Sequence, residues 1–430
     1  MSSDLRILVI GGGAAGFFGA IAAARTNRTA QITILEAGPK FLSKVLISGG
    51  GRCNVTHACF EPARLAQGYP RGGKALRSPF SRFQPKDTIA WFEAEGVALK
   101  TEADGRMFPT TDDSATIAET LMRTAQRLGI ELRSRSAVVA IARQEGSGPF
   151  TVTLRSGEDL ECDRLLLATG SSPQGYRFAA ELGHAIVPPV PSLFTFKVDD
   201  PRLTDLAGLA VPRAEVTLNL TPPRGKLPPQ WRQTGPILVT HWGLSGPAIL
   251  KLSAWGAREL HGYGYRMIVT VNWLPDENPE TARQKLLDCK AAIARKHITS
   301  HCPLGSLPQR LWQRLVDGAG IDREQRWADL SKSQAIALAN QLTRSQFAIA
   351  GKGVFKDEFV TCGGVELKEV NFKTMESRPC PGLFLAGEIL DVDGITGGFN
   401  FQNAWTTGWI AGHAIAAPAA IPADHGQFKN

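Results

Sequence analysis

Apolar residues in this chain fall into short runs separated by amphipathic stretches, and the alternation predicts the elements. Residues 6–10 read as a strand that is apolar on both faces, 16–24 as a helix, and 31–35 as a second strand ending at Glu36. A strand without a polar face belongs inside a parallel sheet covered by helices. Residues 39–87 are rich in Gly, Pro and Arg and read as a long functional loop. Helical periodicity returns over 87–95 and 114–128. Strands are expected at 137–141, 151–154 and 164–168, with a turn at 146–149 between the first two.

The pattern changes after the Pro-rich stretch 188–191. Strand-like segments follow at 193–198, 215–220, 237–240 and 266–273, and helical ones at 281–297, 307–316 and 331–342. The chain then returns through Gly363-Gly364-Val365 to a last helix expected over 403–417. The expected division is a nucleotide domain over 1–190 and 363–430. Between them lie a β-rich insert (191–275), a helical insert (276–342) and a return segment (343–362).

Gly11-Gly12-Gly13-Ala14-Ala15-Gly16 stands between the first strand and the first helix. In that place Gly11 permits the tight turn, Gly13 lets backbone approach a pyrophosphate, and Gly16 lets helix pack on strand. The helix start at Ala14 and Ala15 offers free N–H groups and partial positive charge. Glu36 stands where a carboxylate binds a ribose hydroxyl pair and repels a 2′-phosphate, which points to FAD or NAD rather than NADP. A second signature near the other end carries Gly387-Glu388, Asp393, Gly397-Gly398, Asn400 and Phe401, and looks like the other half of a flavin site. Thr169-Gly170, closing another apolar strand, and Val138, on the strand expected beside the adenine, are further candidates. In the run 48–57, three glycines expose backbone N–H groups at Gly51 and its neighbours. Arg52 there is a candidate for a phosphate or carboxylate, and Asn54 can donate and accept. Cys53 and His57 bring a thiol and an imidazole close together near that site.

Net charge is +8 over 430 residues, which suits an anionic partner. Arg64, Arg71, Lys74, Arg77, Arg82 and Lys86 are interleaved with Tyr69, Phe80 and Phe83, a composition that suits RNA phosphates and bases. Seven cysteines without a Cys-x-x-Cys pair suggest neither a disulfide framework nor a zinc site, and weaken a disulfide-reductase reading. The apolar start over 5–24 is interrupted by glycines and lacks a basic leader, so a cytoplasmic protein is expected.

Four motifs together resemble the HI0933-like family of bacterial flavoproteins: ISGGGRCNVTH at 47–57, HWGLSGPAIL at 241–250, VTCGGVELKEVNFKTMES at 360–377 and PGLFLAGEILDVDGITGGFNFQNAWTTGWIAG at 381–412. The resemblance implies an α/β fold, an FAD-binding Rossmann-like domain of glutathione-reductase type, interrupted by a β-barrel-like and a helical domain. It implies NAD(P)H-dependent reduction of carbon–carbon double bonds, with members linked to bile-acid enones and to dihydrouridine in 23S ribosomal RNA. It places Lys44 as the basic residue before the ISGGGRCN loop, and Gly387 and Glu388 at the ribityl and pyrophosphate position. One departure is Leu42-Ser43, where the family often has Gly-Arg. The expected activity is transient use of NAD(P)H, through FAD, to reduce a uridine of 23S ribosomal RNA. The alternatives are reduction of a small-molecule enone or oxidation of a small amine or ketone. Cys53, His241 and His57 are the candidate proton donors.

Overall fold

The computed structural model describes residues 4–143, 148–219, 228–300, 302–305, 307–353 and 360–418. They form two compact units, Met1–Pro189 with Gly363–Asn430, and Val190–Cys362. Parts of the expected turn at 146–149, of the 215–220 strand and of the 343–362 segment lie outside the described residues.

The first unit is built on strands β1 (Arg6–Ile10), β2 (Gln31–Leu35), β3 (Glu131–Arg133), β4 (Arg164–Leu167) and β5 (Leu383–Leu385). They lie in the order β3-β2-β1-β4-β5, all parallel. Glu376–Ser377 and Val370–Asn371 add an antiparallel edge beyond β5. Ile7, Val9, Leu165, Leu167, Leu383 and Leu385 are all buried, because the helices Ala14–Thr26 and Phe399–Ala416 pack on the sheet and the antiparallel sheet Val138–Arg143, Phe150–Leu154 and Asp159–Cys162 joins its core. From β1 the chain runs first to one side and later to the other, which leaves a crevice at the C-terminal end of β1.

Three helices matter for the site: α1 (Ala14–Thr26), α2 (Ser43–Gly51, kinked at Ser48 to Gly50) and α3 (Phe399–Ala416). Helices α1 and α3 touch backbone to backbone. A Cβ at Gly408 would lie 2.6 Å from the Ala15 carbonyl oxygen, and one at Gly412 would overlap that of Gly19. Small residues four apart on both helices set this spacing, and it seats the loop before α3 against the first turn of α1.

The stretch 39–87, expected as a loop, is mostly helical. Beside α2 it forms Pro62–Leu65, Gly73–Phe80 and the start of Pro85–Ala94. Its Pro and Gly act as helix starts: Pro62 and Pro85 stand in first turns, Gly72 caps Gly73–Phe80 at φ 77°, and Gln84 forms a capping box with Asp87.

In the second unit one antiparallel sheet runs in the order Ser345–Ala348, Ile268–Asn272, Ala210–Asn219, Arg232–Thr240, Gly243–Ser245, Phe196–Lys197, Gly351–Lys352. Helices Pro279–Ala292, Gln309–Gly318 and Lys332–Thr343 share its core, where Val269, Trp273 and Phe347 join Leu286, Trp312 and Leu338. The stretch 276–342, expected as a domain of its own, is thus part of the β unit's core.

Two histidines of the first unit couple its stability to pH. His184 is buried, with Nδ1 3.2 Å from Glu369 Oε2 and Nε2 2.8 Å from Ser377 Oγ. Burial pushes its pKa down, more strongly than Glu369 raises it. His413 is lowered by burial and by Arg82 and Arg25. Both therefore stay neutral in the fold at a pH where the unfolded chain, with an imidazole pKa of about 6.5, takes up protons. Stability contributed by the neutral rings is present above that value and is lost as pH falls below it. The melting temperature should drop between about pH 7.5 and 5.5, and His184→Gln should show a shallower dependence. A melting temperature that is flat or rises on acidification contradicts this.

Candidate functional site

Four neighbouring parallel strands deliver the site. Gly11 to Gly13, Glu36, Thr169 and Gly387 follow closely on the C-terminal ends of β1, β2, β4 and β5. Gly11 has φ 112°, and a Cβ there would overlap the Ala168 carbonyl. Gly16 packs against the Gly11 carbonyl in the same way. Gly13 caps α1 without a side-chain hydrogen bond, and a Cβ on it would meet nothing within 4 Å. The N–H groups of Ala14 and Ala15 have no acceptor within the helix, since both lie in its first turn. The Glu36 carboxylate is fixed by two backbone donors, Gly12 N–H at 3.0 Å and Gly38 N–H at 2.8 Å, and keeps lone pairs for a hydroxyl pair.

Across the crevice, Gly170 has φ 60°, and a Cβ there would lie 3.7 Å from Glu388 Oε2. Lys44 Nζ donates to Glu388 Oε2 at 2.9 Å and to Ser171 Oγ at 3.3 Å. Gly387, at φ 79°, lies against Ala15, and its N–H donates to Thr407 Oγ1 at 2.9 Å. Thr169 Oγ1 is buried and has no hydrogen-bond partner among the described residues. Open space at Gly13, a bare helix start, a fixed carboxylate and an unpartnered buried hydroxyl together fit FAD. Gly13, Ala14, Ala15 and Glu36 on one side of the crevice, and Thr169, Gly170, Lys44 and Glu388 on the other, are the residues that could hold it.

The second signature is assembled with the 48–57 loop. Asn54 Oδ1 accepts from Gly398 N–H at 3.0 Å, and its Nδ2 donates to the Thr56 carbonyl at 3.0 Å. Gly398 has φ 91°, and a Cβ there would lie 2.5 Å from the Thr56 carbonyl oxygen. His57 Nδ1 lies 3.0 Å from the Gly397 carbonyl oxygen, and its ring stacks on Phe399 at 4.8 Å. Asn400 closes a small loop through Gly394, accepting its N–H at 2.8 Å and donating to its carbonyl at 3.0 Å. Phe401 stacks on Trp405 at 5.6 Å. Gly51, at φ 83°, has no heavy atom within 4 Å of a Cβ position, so a ligand could approach its backbone.

Several candidates take other roles. Asp393 is fully buried and is held by Arg71, with Nε donating to Oδ1 at 2.5 Å and Nη2 to Oδ2. Asp393 is therefore a scaffold residue rather than a ligand contact, and Arg71 is not a surface cation. Tyr69, Phe80 and Phe83 are core residues, closed to base stacking, and Tyr69 Oη donates to the Phe399 carbonyl at 2.6 Å. Arg64, Lys74, Arg77, Arg82 and Lys86 are exposed, with Arg82 donating to the Lys373 carbonyl. Arg52 is engaged by Glu102 at 2.7 Å and Asp112 at 3.5 Å and lies over the Phe108 ring, so its guanidinium is committed. Val138 is a core residue of the sheet formed by Val138–Arg143, Phe150–Leu154 and Asp159–Cys162.

The candidate proton donors are sorted by the same geometry. Cys53 is 0% exposed, and burial pushes its thiol up to about 12, so it neither reaches a ligand nor ionises near neutral pH. His57 turns Nε2 onto Gly105, where a Cβ would lie 2.7 Å away, so this ring holds the Gly397 peptide. His241 is exposed in the turn between Arg232–Thr240 and Gly243–Ser245 of the second unit.

A buried polar stripe on α3 escaped the sequence reading. Gln402 Oε1 accepts from Thr56 Oγ1 at 2.6 Å and Thr88 Oγ1 at 2.9 Å, and Gln402 Nε2 donates to Thr406 Oγ1 at 3.0 Å. Thr406 Oγ1 donates to the Phe83 carbonyl at 3.0 Å, and Trp405 Nε1 to the Val55 carbonyl at 2.9 Å. These bonds fasten the 48–57 loop to α3. The available signal was four polar residues, Gln402, Asn403, Thr406 and Thr407, at helical spacing in a largely apolar helix. Among the described residues no group of three or more His, Cys, Asp and Glu could hold a metal.

A family model described as HI0933-like protein Rossmann domain matches residues 5–414. The chain is 32% identical over 424 residues to the ribosomal RNA dihydrouridine synthase of Escherichia coli (strain K12), covering 95% of this chain and 98% of that protein. It is 31% identical over 423 residues to the 3-dehydro-bile acid delta(4,6)-reductase of Clostridium scindens, covering 96% of this chain and 99% of that one. Among solved structures it is similar to 3-ketosteroid delta1-dehydrogenase from Sterolibacterium denitrificans, with TM-score 0.51 and 12% identity over 95% of this chain and 99% of that one. That last likeness is one of fold.

Proposed function

The chain belongs to the HI0933-like family, and from that premise we propose that it is an FAD-dependent oxidoreductase of carbon–carbon double bonds that reduces a uridine of 23S ribosomal RNA with NAD(P)H. The observation that carries the flavin reading is the convergence of Gly13, Glu36, Thr169 and Glu388 on one crevice at the strand ends. FAD held there would supply the redox chemistry, hydride transfer between NAD(P)H and the double bond. The chain's own part is to bind and orient. The first turn of α1 receives the pyrophosphate and Glu36 the ribose. Asn54 and His57 fix the Gly397-Gly398 peptides, and Lys44 with Glu388 closes the opposite wall.

Reduction of the double bond also needs a proton, and His241 is the proposed donor because its imidazole is exposed where Cys53 and His57 are packed away. His241→Gln should cut turnover by about 10²–10⁴-fold. Unchanged turnover removes His241 from the role.

Support for the RNA substrate comes from the net charge of +8 and the exposed Arg64, Lys74, Arg77, Arg82 and Lys86. Among the described residues no helix is long and apolar enough to cross a membrane, and with an RNA substrate we place the protein in the cytoplasm. The second reading, a small-molecule enone reductase, is favoured by the bile-acid relative, whose 31% identity lies within one percentage point of the 32% of the RNA one. The deciding assay is anaerobic NADH or NADPH consumption by the FAD-loaded protein, with a 23S transcript or a steroid enone as acceptor. Stoichiometric consumption with the transcript alone supports the RNA reading. Consumption with the enone alone overturns it, and fast peroxide formation in a parallel aerobic assay, driven by a small amine or ketone with oxygen as acceptor, replaces both with an oxidase.

A further inference from the structure

A cavity of about 130 Å³ on the Val190–Cys362 unit is lined by Asp205, Leu206, Arg310, Gln313, Arg314 and Arg323. Helix Gln309–Gly318 builds it. Its Leu311, Trp312, Leu315 and Val316 face the core, while Arg310 and Arg314, one turn apart, share another face. After the turn at Gly320 (φ 71°) the chain comes back, and Arg323 is held by Asp317 at 2.7 and 3.2 Å. Arg314 Nη2 donates to Asp205 Oδ2 at 3.3 Å. Arg310 makes no hydrogen bond or ion pair to any described residue. Three guanidinium groups thus converge against two carboxylates, one of them, Asp317, outside the lining.

We infer that this cavity is a phosphate subsite for the backbone of the RNA substrate, an inference that rests on the RNA reading above. Its volume is several times the roughly 30 Å³ share of a water molecule but below the roughly 300–1,000 Å³ of small-molecule pockets. It is therefore large enough to admit a phosphate with its hydration. Guanidinium forks match phosphate oxygens in pairs, and the Gln313 amide adds neutral donors. A backbone contact of this kind fixes the register of the strand and carries no sequence information itself.

The test is the salt dependence of binding to a fluorescently labelled 23S transcript. Each phosphate contact on a single strand contributes about 0.7 to the slope of log affinity against log salt. The triple variant Arg310→Gln/Arg314→Gln/Arg323→Gln should be shallower by about 0.7, and the matching triple Lys variant should recover most of that loss. Single Arg310→Gln, which removes no internal contact, should fold normally and lose part of that roughly 0.7. Flavin content is measured throughout and should not change. A wild-type slope in the triple variant overturns the subsite alone. Wild-type protein without salt-sensitive binding overturns the subsite together with the RNA reading. A raised KM for NADPH but not NADH, with an unchanged RNA slope, overturns it in favour of a nucleotide phosphate.

Discussion

Gly13→Asp should give a folded, colourless protein. The position caps α1 and has open space around its missing Cβ, so the chain itself accepts the new side chain. Aspartate is a favoured helix cap and can accept from the bare N–H groups of the first turn, so thermal stability of the cofactor-free protein should hold or rise slightly. The same carboxylate would occupy the place of the pyrophosphate and repel it. Two unit charges about 4 Å apart at an effective dielectric of about 20 cost about 4 kcal/mol, about a thousandfold in FAD affinity. Absorbance of the purified variant before and after FAD titration reads the outcome. A yellow variant with full flavin content sinks the assignment of the helix start.

Asp393→Asn should be the most destabilising single change near the site. The side chain of Asp393 is 0% exposed and that of Arg71 14%, and the two make a bidentate pair that also bridges their backbones. Asn in place of Asp393 takes a bidentate carboxylate from a guanidinium in a poorly solvated place, at a cost of about 3–5 kcal/mol. The melting temperature should fall on the order of 10 °C. Replacing both partners with apolar residues, as in Arg71→Met/Asp393→Leu, should recover much of the loss, because no buried charge then remains to be compensated. A fall of only a degree or two in Asp393→Asn would show that the pair is solvated.

The nucleotide half of the fold was legible because its signals are local. The apolar run before Gly11, the change of period after Gly16 and the carboxylate at Glu36 each follow from a few consecutive residues, and β1, α1 and β2 lie where that pattern puts them. What stayed hidden depends on partners far along the chain. Composition alone presented Arg71, Tyr69, Phe80 and Phe83 as a surface for RNA. Only the approach of Asp393 and Phe399 turns Arg71 and Tyr69 inward. Cys53 and His57 looked reactive because they are near each other in sequence, yet the fold buries one and packs the other on Phe399 and Gly105. The Lys44–Glu388 pair and the Gln402 network join residues hundreds of positions apart and have no period to betray them. In the second unit, strands as short as Phe196–Lys197 and Gly351–Lys352 carry too few residues for an alternation to register.

Flavin-dependent reduction of a uridine in 23S ribosomal RNA is read most directly by mass spectrometry of that RNA from a strain lacking the gene. The predicted result is loss of one dihydrouridine, seen as a uridine lighter by two hydrogen atoms, restored by the wild-type gene and not by Gly13→Asp. Dihydrouridine content unchanged by the deletion would contradict the claim.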